Sequence, residues 1–68
     1  MPPMSPDEYR NALSALGLSQ AGAARLFGLS TRACEFYAAG SRRVPPPVAK
    51  LLRLLVAGKV TALQVELT

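Results

Sequence analysis

Serine and glycine alternate at helix-length spacing along the first forty residues, and this punctuation constrains the fold more than any other feature of the sequence. Each of three segments begins after a serine, whose side chain accepts a hydrogen bond from an unpaired N–H at a helix N-terminus. Each also stops before a glycine, which adopts the positive φ that ends many helices. The segments run from Ser5 to Gly17, from Ser19 to Gly28 and from Ser30 to Gly40. The pattern predicts three short helices.

Apolar residues inside these segments follow the helical period. The first helix has Pro6 at its first position, and its acidic first turn can complete a capping box with Ser5. The second is predicted over 20–27 and the third over 31–39. The residues expected to face inward in the first two helices are Tyr9, Leu13, Leu16, Ala23, Ala24 and Phe27.

A fourth helix follows the loop that carries Arg42 and Arg43. We expect it to begin within Pro45–Pro47, because proline is favoured in the first turn of a helix, and to end at Ala57, before Gly58. Leu54 projects away from the apolar stripe of this helix, so we expect another surface to cover it. The stripe consists of Val48, Leu51, Leu52, Leu55 and Val56.

The last segment, residues 60–68, supports two interpretations. Thr61 and Gln64 have the spacing of a capping box, whereas Leu63, Val65 and Leu67 alternate as in a strand. We favour a short helix. The 68 residues make one all-α domain of four to five helices, with a core over about 5–58 and a C-terminal segment over 59–68. The expected contacts of a homodimer are Leu54, Leu63 and Leu67.

Composition excludes several classes of function. The chain has no histidine, one cysteine and four carboxylates, so we expect no metal site, no cofactor and no catalysis. Its net charge of +4 favours a polyanionic partner. No apolar stretch approaches the roughly 18 residues of a membrane span, and no signal peptide is recognisable. We therefore expect a cytoplasmic domain that binds neither a membrane nor a small molecule.

The second and third predicted helices are separated by three residues, which is typical of a helix-turn-helix. In this stretch the chain resembles the Cro/repressor-like helix-turn-helix family, the XRE-type regulators, over roughly residues 5–58. The resemblance implies a lambda-repressor-like DNA-binding domain whose recognition helix is 31–39. The matching positions are Gln20, Ala24, Gly28, Leu29, Cys34, Tyr37 and the run Val44-Pro45-Pro46-Pro47.

Helical geometry identifies the outward face of that helix as Arg32, Glu35, Phe36 and Ala39. The family's docking mode implies that Ser30 and Thr31, at the N-terminus, lie closest to base edges or phosphates. Glu35 could accept from a cytosine amino group, and Phe36 could touch a thymine methyl. The alternative is that Glu35 pairs with Arg32 and that Phe36 is partly buried or contacts a protein.

Phosphate contacts are expected at two further places. Arg42 and Arg43 follow the recognition helix, where the family uses the loop in this way, while Ser19 and Gln20 lie at a helix N-terminus. Lys50, Arg53 and Lys59 are interpreted as solubilising charges. The favoured function is sequence-specific binding of double-stranded DNA by a small, dimeric transcriptional regulator on an inverted repeat. The alternative is a protein-interaction module, an adaptor or antitoxin-like partner, without specific DNA binding.

Overall fold

The computed structural model describes residues 2–58, and every regular element in this part of the chain is an α-helix. The all-α expectation is confirmed for these residues, and the bounds predicted for the second and third helices are reproduced. The fourth helix ends one residue earlier than expected. The helices are α1 (Pro6–Leu16), α2 (Gln20–Phe27), α3 (Thr31–Ala39) and α4 (Pro46–Val56).

Hydrogen bonds explain why the first three helices begin and end where they do. At each N-terminus a serine Oγ accepts from the backbone N–H three residues later, at 3.0 Å for Ser5 and Ser19 and 3.1 Å for Ser30. The glycines that follow the helices have φ of 68°, 68° and 82°, a region that other residues rarely adopt. The serine and glycine punctuation thus specifies helix ends through caps at both termini.

The capping box expected at the start of α1 is only half formed. Ser5 accepts from the N–H of Glu8, but the two carboxylate oxygens of Glu8 accept from Arg53 in α4, at 2.8 and 2.9 Å. A two-point, charge-assisted interaction is stronger than one hydrogen bond from a helix-terminal N–H, so the carboxylate turns to the neighbouring helix. Arg53, interpreted from the sequence as a solubilising charge, instead joins α4 to α1.

The core lies around α1, which contacts α3 and α4, while α2 packs on α3. Tyr9, Cys34 and Leu52 come from three different helices and are fully buried. The rings of Tyr9 and Tyr37 meet edge to face, with centroids 5.9 Å apart and planes at 77°. This arrangement is favoured by the ring quadrupoles. The two tyrosines expected in the core are therefore found there, and Cys34 is a buried thiol.

Helices α2 and α3 are joined by residues 28–30 alone. The N–H of Leu29 donates to the carbonyl of Ala24 at 2.8 Å, which closes the end of α2. Ala24 is only 4% exposed and belongs to the same core cluster as Cys34 and Tyr37 of α3. A small residue at position 24 allows the two helices to approach closely. The packing of α2 thereby fixes which side of α3 remains exposed.

The apolar stripe of α4 matches its prediction only in part. Leu52 and Leu55 are buried, but Val56 is 50% exposed, so the expectation that Val56 belongs to the buried stripe is wrong. Val56 is the last residue of α4, and no element within residues 2–58 covers it. Leu54, expected on the polar side, is partly buried. The end of α4 therefore presents an exposed valine, while the partly buried Leu54 projects from another side of the helix.

Residues 59–68 lie outside the part of the chain that the structure describes. The helix or strand expected there, the charge at Lys59 and the dimer contacts expected at Leu63 and Leu67 lie in this segment. Within residues 2–58, no helix is long and apolar enough to cross a bilayer.

Candidate nucleic-acid interface

The exposed side of α3 carries most of the residues predicted to read bases. Cys34 and Tyr37 are buried in the core, which fixes the rotation of the helix about its axis. Side chains on the opposite side point outward, because residues three and four apart share a face. Phe36 is partly buried. The other predicted base readers are exposed: Ser30, Thr31, Arg32, Glu35 and Ala39.

Two arginine side chains lie over the ring of Phe36. The guanidinium carbon of Arg32 is 5.5 Å from the ring centroid, and that of Arg42 is 4.8 Å from it. Both distances are within the range in which a cation is attracted to an aromatic face. The ion pair considered between Arg32 and Glu35 is not formed among the described residues. We call Arg32, Phe36 and Arg42 the arginine–phenylalanine cluster.

The loop after α3 is tied to the end of the helix by its backbone. The N–H groups of Ser41 and Arg42 both donate to the carbonyl of Phe36, at 3.0 and 3.4 Å. This return is possible because Gly40 has φ of 82°. A side chain at Gly40 would also come within 3.0 Å of Pro6 in α1. Phe36 therefore contacts Arg42 twice: its ring lies under the guanidinium group, and its carbonyl accepts from the backbone N–H.

The serines at the N-termini of α2 and α3 act as helix caps. The hydroxyl oxygens of Ser19 and Ser30 accept from backbone N–H groups, but each hydroxyl keeps its own proton as a donor. Gln20 is partly buried, and its Oε1 accepts from the hydroxyl of Tyr9 at 3.5 Å. The amide nitrogen of Gln20 is then the atom that can donate to an anion.

The hydroxyl of Tyr9 remains a hydrogen-bond donor over the whole physiological range. Burial raises the pKa of Tyr9 well above its ordinary value, and the neighbouring Cys34 raises it further. The tyrosine therefore stays protonated, and the contact that orients Gln20 does not depend on pH.

Ion pairs divide the cations of the described chain into two groups. Arg10 pairs with Asp7 and also donates to the carbonyl of Ala38, near the end of α3, while Arg53 pairs with Glu8. The hydrogen bond from Arg53 holds the pKa of Glu8 below its ordinary value. The other cations of residues 2–58 have no carboxylate within ion-pairing distance. They are Arg25, Arg32, Arg42, Arg43 and Lys50.

Four of these five cations lie on α3, in the loop that follows it and in α4, whereas Arg25 lies on α2. Arg43 is exposed and lines a largely apolar surface groove of about 340 Å³, together with Lys50, Val44 and the N-terminal Pro2. Arg43 and Lys50 therefore border one groove, and Arg43 directly follows Arg42 in the chain.

Groups that could hold a metal ion are not found in the described residues. No three side chains of the Cys, Asp or Glu type cluster within residues 2–58. In the same residues, every buried side-chain nitrogen and oxygen has a hydrogen-bond partner. The site is thus a surface of hydrogen-bond donors and cations.

The sequence did not predict the contact between Arg42 and Phe36. A signal was present in Gly40, because a left-handed glycine at a helix end returns the next N–H groups to the last turn. Applied to α3, that rule places the backbone of Arg42 beside Phe36. The ion pair between Glu8 and Arg53 had no local signal, since the two residues are 45 positions apart.

Comparison of the chain with known families, with curated proteins and with solved structures gives no match. The resemblance to the Cro/repressor-like helix-turn-helix family therefore stays a prediction from the sequence.

Proposed function

We propose that this chain is a sequence-specific double-stranded DNA-binding protein, a small cytoplasmic transcriptional regulator that docks α3 in the major groove. One observation carries the proposal: the unpaired cations of the described chain are concentrated on the exposed side of α3 and in the loop that follows it. The proposal involves no cofactor, no metal and no catalysis.

The distribution of charge supports a polyanionic partner. An exposed ion pair attracts an external phosphate weakly, because its own carboxylate already neutralises the cation. Arg32, Arg42 and Arg43 have no such carboxylate within residues 2–58. Duplex DNA presents phosphates at regular spacing, and each cation that neutralises one releases a condensed counterion. This surface therefore suits a duplex backbone better than the paired surface around Arg10 and Arg53.

Base readout is assigned to the N-terminal part of α3. Arg32 is exposed, and its fork of donors matches the O6 and N7 acceptors of guanine. Glu35 is exposed and unpaired in the described chain, so it can accept from a cytosine amino group. Ser30 and Thr31 precede these residues and approach base edges or phosphates, while Ala39 leaves room for a thymine methyl.

Phosphate contacts are assigned to both sides of α3. Arg42 and Arg43 hold one stretch of backbone through the loop that follows α3. Ser19 and the amide nitrogen of Gln20 hold another at the N-terminus of α2, where the helix dipole favours an anion.

The arrangement of α2 and α3 supports a helix-turn-helix within a lambda-repressor-like domain. The two helices pack on each other and are connected by three residues, with a glycine of φ 68° in the turn. The positions that carry the family resemblance have the burial that this geometry requires. Ala24, Cys34 and Tyr37 are buried, and Leu29 packs against the core.

Dimerisation on an inverted repeat is part of the proposal. The exposed Val56 offers an apolar side chain at the end of α4, and Leu54, Leu63 and Leu67 are the contacts expected from the sequence. Half-sites would then be spaced by about 34 Å or a multiple of it. Sedimentation at high micromolar concentration should show a dimer that Leu54→Glu converts to a monomer. A parent that sediments as a monomer contradicts this part.

The second candidate is a protein-interaction module of the adaptor or antitoxin type. It is favoured by the exposed Val56 and by the acidic Glu35 on the reading face, which repels a phosphate backbone. In this case Phe36 and Leu54 would contribute to the surface that contacts the partner protein.

Mobility shifts and selection of bound duplexes from a random pool separate the two candidates. The first predicts salt-sensitive shifts and enrichment of a palindrome, because phosphate contacts supply affinity and base contacts supply preference. Lys50→Gln is the matched control for the loss of a positive charge on α3, since it removes one unpaired cation that lies on α4. Binding that is absent at low salt, or enrichment of no sequence, rejects the first candidate.

A further inference from the structure

The arginine–phenylalanine cluster links a residue assigned to a base with a residue assigned to a phosphate. Arg32 belongs to α3 and Arg42 to the following loop, yet both guanidinium groups lie over the same ring, at 5.5 and 4.8 Å from its centroid. Neither arginine pairs with a carboxylate of the described chain. Phe36 is thus the side chain that fixes both cations in the unbound protein.

Stacking leaves the hydrogen-bonding groups of an arginine available. The guanidinium is planar and its N–H donors point outward in that plane, so a guanidinium attracted to an aromatic face keeps donors available at its edge. Each arginine can therefore remain on the ring while its edge donates to an acceptor outside the protein. An unrestrained arginine would lose side-chain entropy when it binds, and prior stacking removes part of that loss.

The backbone strengthens the link between the two arginines. The carbonyl of Phe36 accepts from Ser41 and Arg42, so the loop cannot shift without breaking hydrogen bonds to the residue that carries the ring. Phe36 is also partly buried, which restricts the ring itself. One residue therefore contacts both guanidinium groups and the backbone of the loop that carries one of them.

We infer that Phe36 is a positioning residue: its ring orients the guanidinium group of Arg32 toward a guanine edge and that of Arg42 toward a neighbouring phosphate of the same half-site. The inference rests on the proposed function. It gives Phe36 a role other than contact with a thymine methyl, because the ring is already covered by the two cations. Specificity then depends on a residue that touches no base.

Phe36→Leu tests this inference, with Phe36→Tyr as the matched control. Leucine keeps an apolar side chain of similar size, whereas tyrosine keeps the aromatic face. We expect Phe36→Leu to weaken binding to the selected site by about threefold to tenfold for each arginine released. The preference for guanine at the position assigned to Arg32 should decline. The dependence of affinity on salt concentration should also change, because the phosphate contact of Arg42 is weakened. Phe36→Tyr should retain affinity, preference and slope.

Proton NMR of the unbound protein provides a readout that does not require DNA. Ring currents should shift the side-chain protons of Arg32 and Arg42 in the parent and in Phe36→Tyr, and the shift should vanish in Phe36→Leu. Thermal melting identifies any variant that fails to fold, in which case Phe36→Met replaces it.

The outcomes distinguish the inference from the proposed function. If the parent selects a DNA site and a folded Phe36→Leu keeps the same preference, affinity and slope, the inference is wrong and the proposed function stands. If the parent binds no duplex, the proposed function fails and the inference fails with it. Ring-current shifts that persist in Phe36→Leu also overturn the inference.

Discussion

Arginine occurs in two contrasting settings in this small protein. Arg10 and Arg53 are engaged with the chain itself: Arg10 joins α1 to the end of α3, and Arg53 joins α4 to α1 through Glu8. Arg32 and Arg42 have no carboxylate partner in the described residues and lie over an aromatic ring. The same side chain connects helices in one setting and remains available for an external anion in the other.

The contrast shows that net charge alone does not locate a binding surface. The chain carries eight cations and four carboxylates, a modest excess that many soluble domains share. Asp7 and Glu8, at the start of α1, neutralise the cations nearest to them. Of the five cations that remain unpaired within residues 2–58, three lie on α3 and in its loop: Arg32, Arg42 and Arg43.

The largest expected effect comes from a substitution in the core, because loss of the fold removes both the arginines that join helices and the arrangement of the exposed arginines. Ala24 is 4% exposed, so Ala24→Leu should overpack the core between α2 and α3 and lower the free energy of unfolding by about 1–3 kcal/mol. Chemical denaturation measures this loss. Ala39→Leu, on the exposed side of α3, is the matched control and should melt like the parent. An equally stable Ala24→Leu would mean that the two helices do not approach closely at this residue.

The second-largest effect is expected at Arg32, one of the exposed arginines without a carboxylate partner in the described residues. Arg32→Ala should cost about 1–3 kcal/mol of binding on the selected site and much less on random duplex, because a bidentate contact to a base is lost. Its melting temperature should be that of the parent, since Arg32 joins no two helices. Duplex selection and calorimetric titration provide the measurements. Unchanged base preference in Arg32→Ala would move the reading role to Glu35 and Ser30.

A smaller and sequence-independent effect is expected from the loop. Arg42→Ala and Arg43→Ala should each weaken all duplexes alike and reduce the salt slope by about one unit, because each removes one phosphate contact. Binding isotherms at several salt concentrations test this. An unaltered slope in Arg43→Ala would assign that residue to the neighbouring groove rather than to DNA.

The smallest effect is expected at the ion pair between Glu8 and Arg53, and it depends on pH. Because Arg53 lowers the pKa of Glu8, the pair stabilises the folded protein above the ordinary carboxyl pKa of about 4.3, and this contribution is lost as the pH falls through the lowered value. Glu8→Gln should therefore be less stable than the parent at neutral pH and converge with it in acid.

Glu35→Gln is the matched control for that measurement, since Glu35 has no cation partner among the described residues. Thermal melts from pH 7 down to about 3 should show a pH-dependent difference for Glu8→Gln alone. Parallel curves for Glu8→Gln and the parent would show that the pair contributes no stability.

Local chemistry explains why the helix boundaries could be predicted from the sequence. A serine cap and a left-handed glycine each act on backbone groups only a few residues away, so the two ends of a helix can be recognised within a short window such as Ser30 to Gly40. The inward faces of α1 and α3 follow in the same way from helical periodicity. The outward positions of Arg32 and Glu35 are consequences of that periodicity.

Contacts between distant residues could not be predicted in this way. The capping box with Glu8 was expected because Ser5 is near in sequence, but Arg53 competes from 45 residues away and prevails. Val56 was assigned to the stripe of α4 by its spacing, yet burial also requires a neighbouring element at the helix end. The contact between Arg42 and the ring of Phe36 likewise depends on the path of the backbone after α3.

The complete burial of Cys34 turns the only thiol of the chain into a reporter of core opening. An alkylating reagent can reach the sulfur only when the core around Cys34 opens, so the labelling rate reports the free energy of that opening. A ligand that binds the closed protein must slow labelling in proportion to its saturation. The native chain, without any added label, therefore provides an assay for any partner that holds α3 in place.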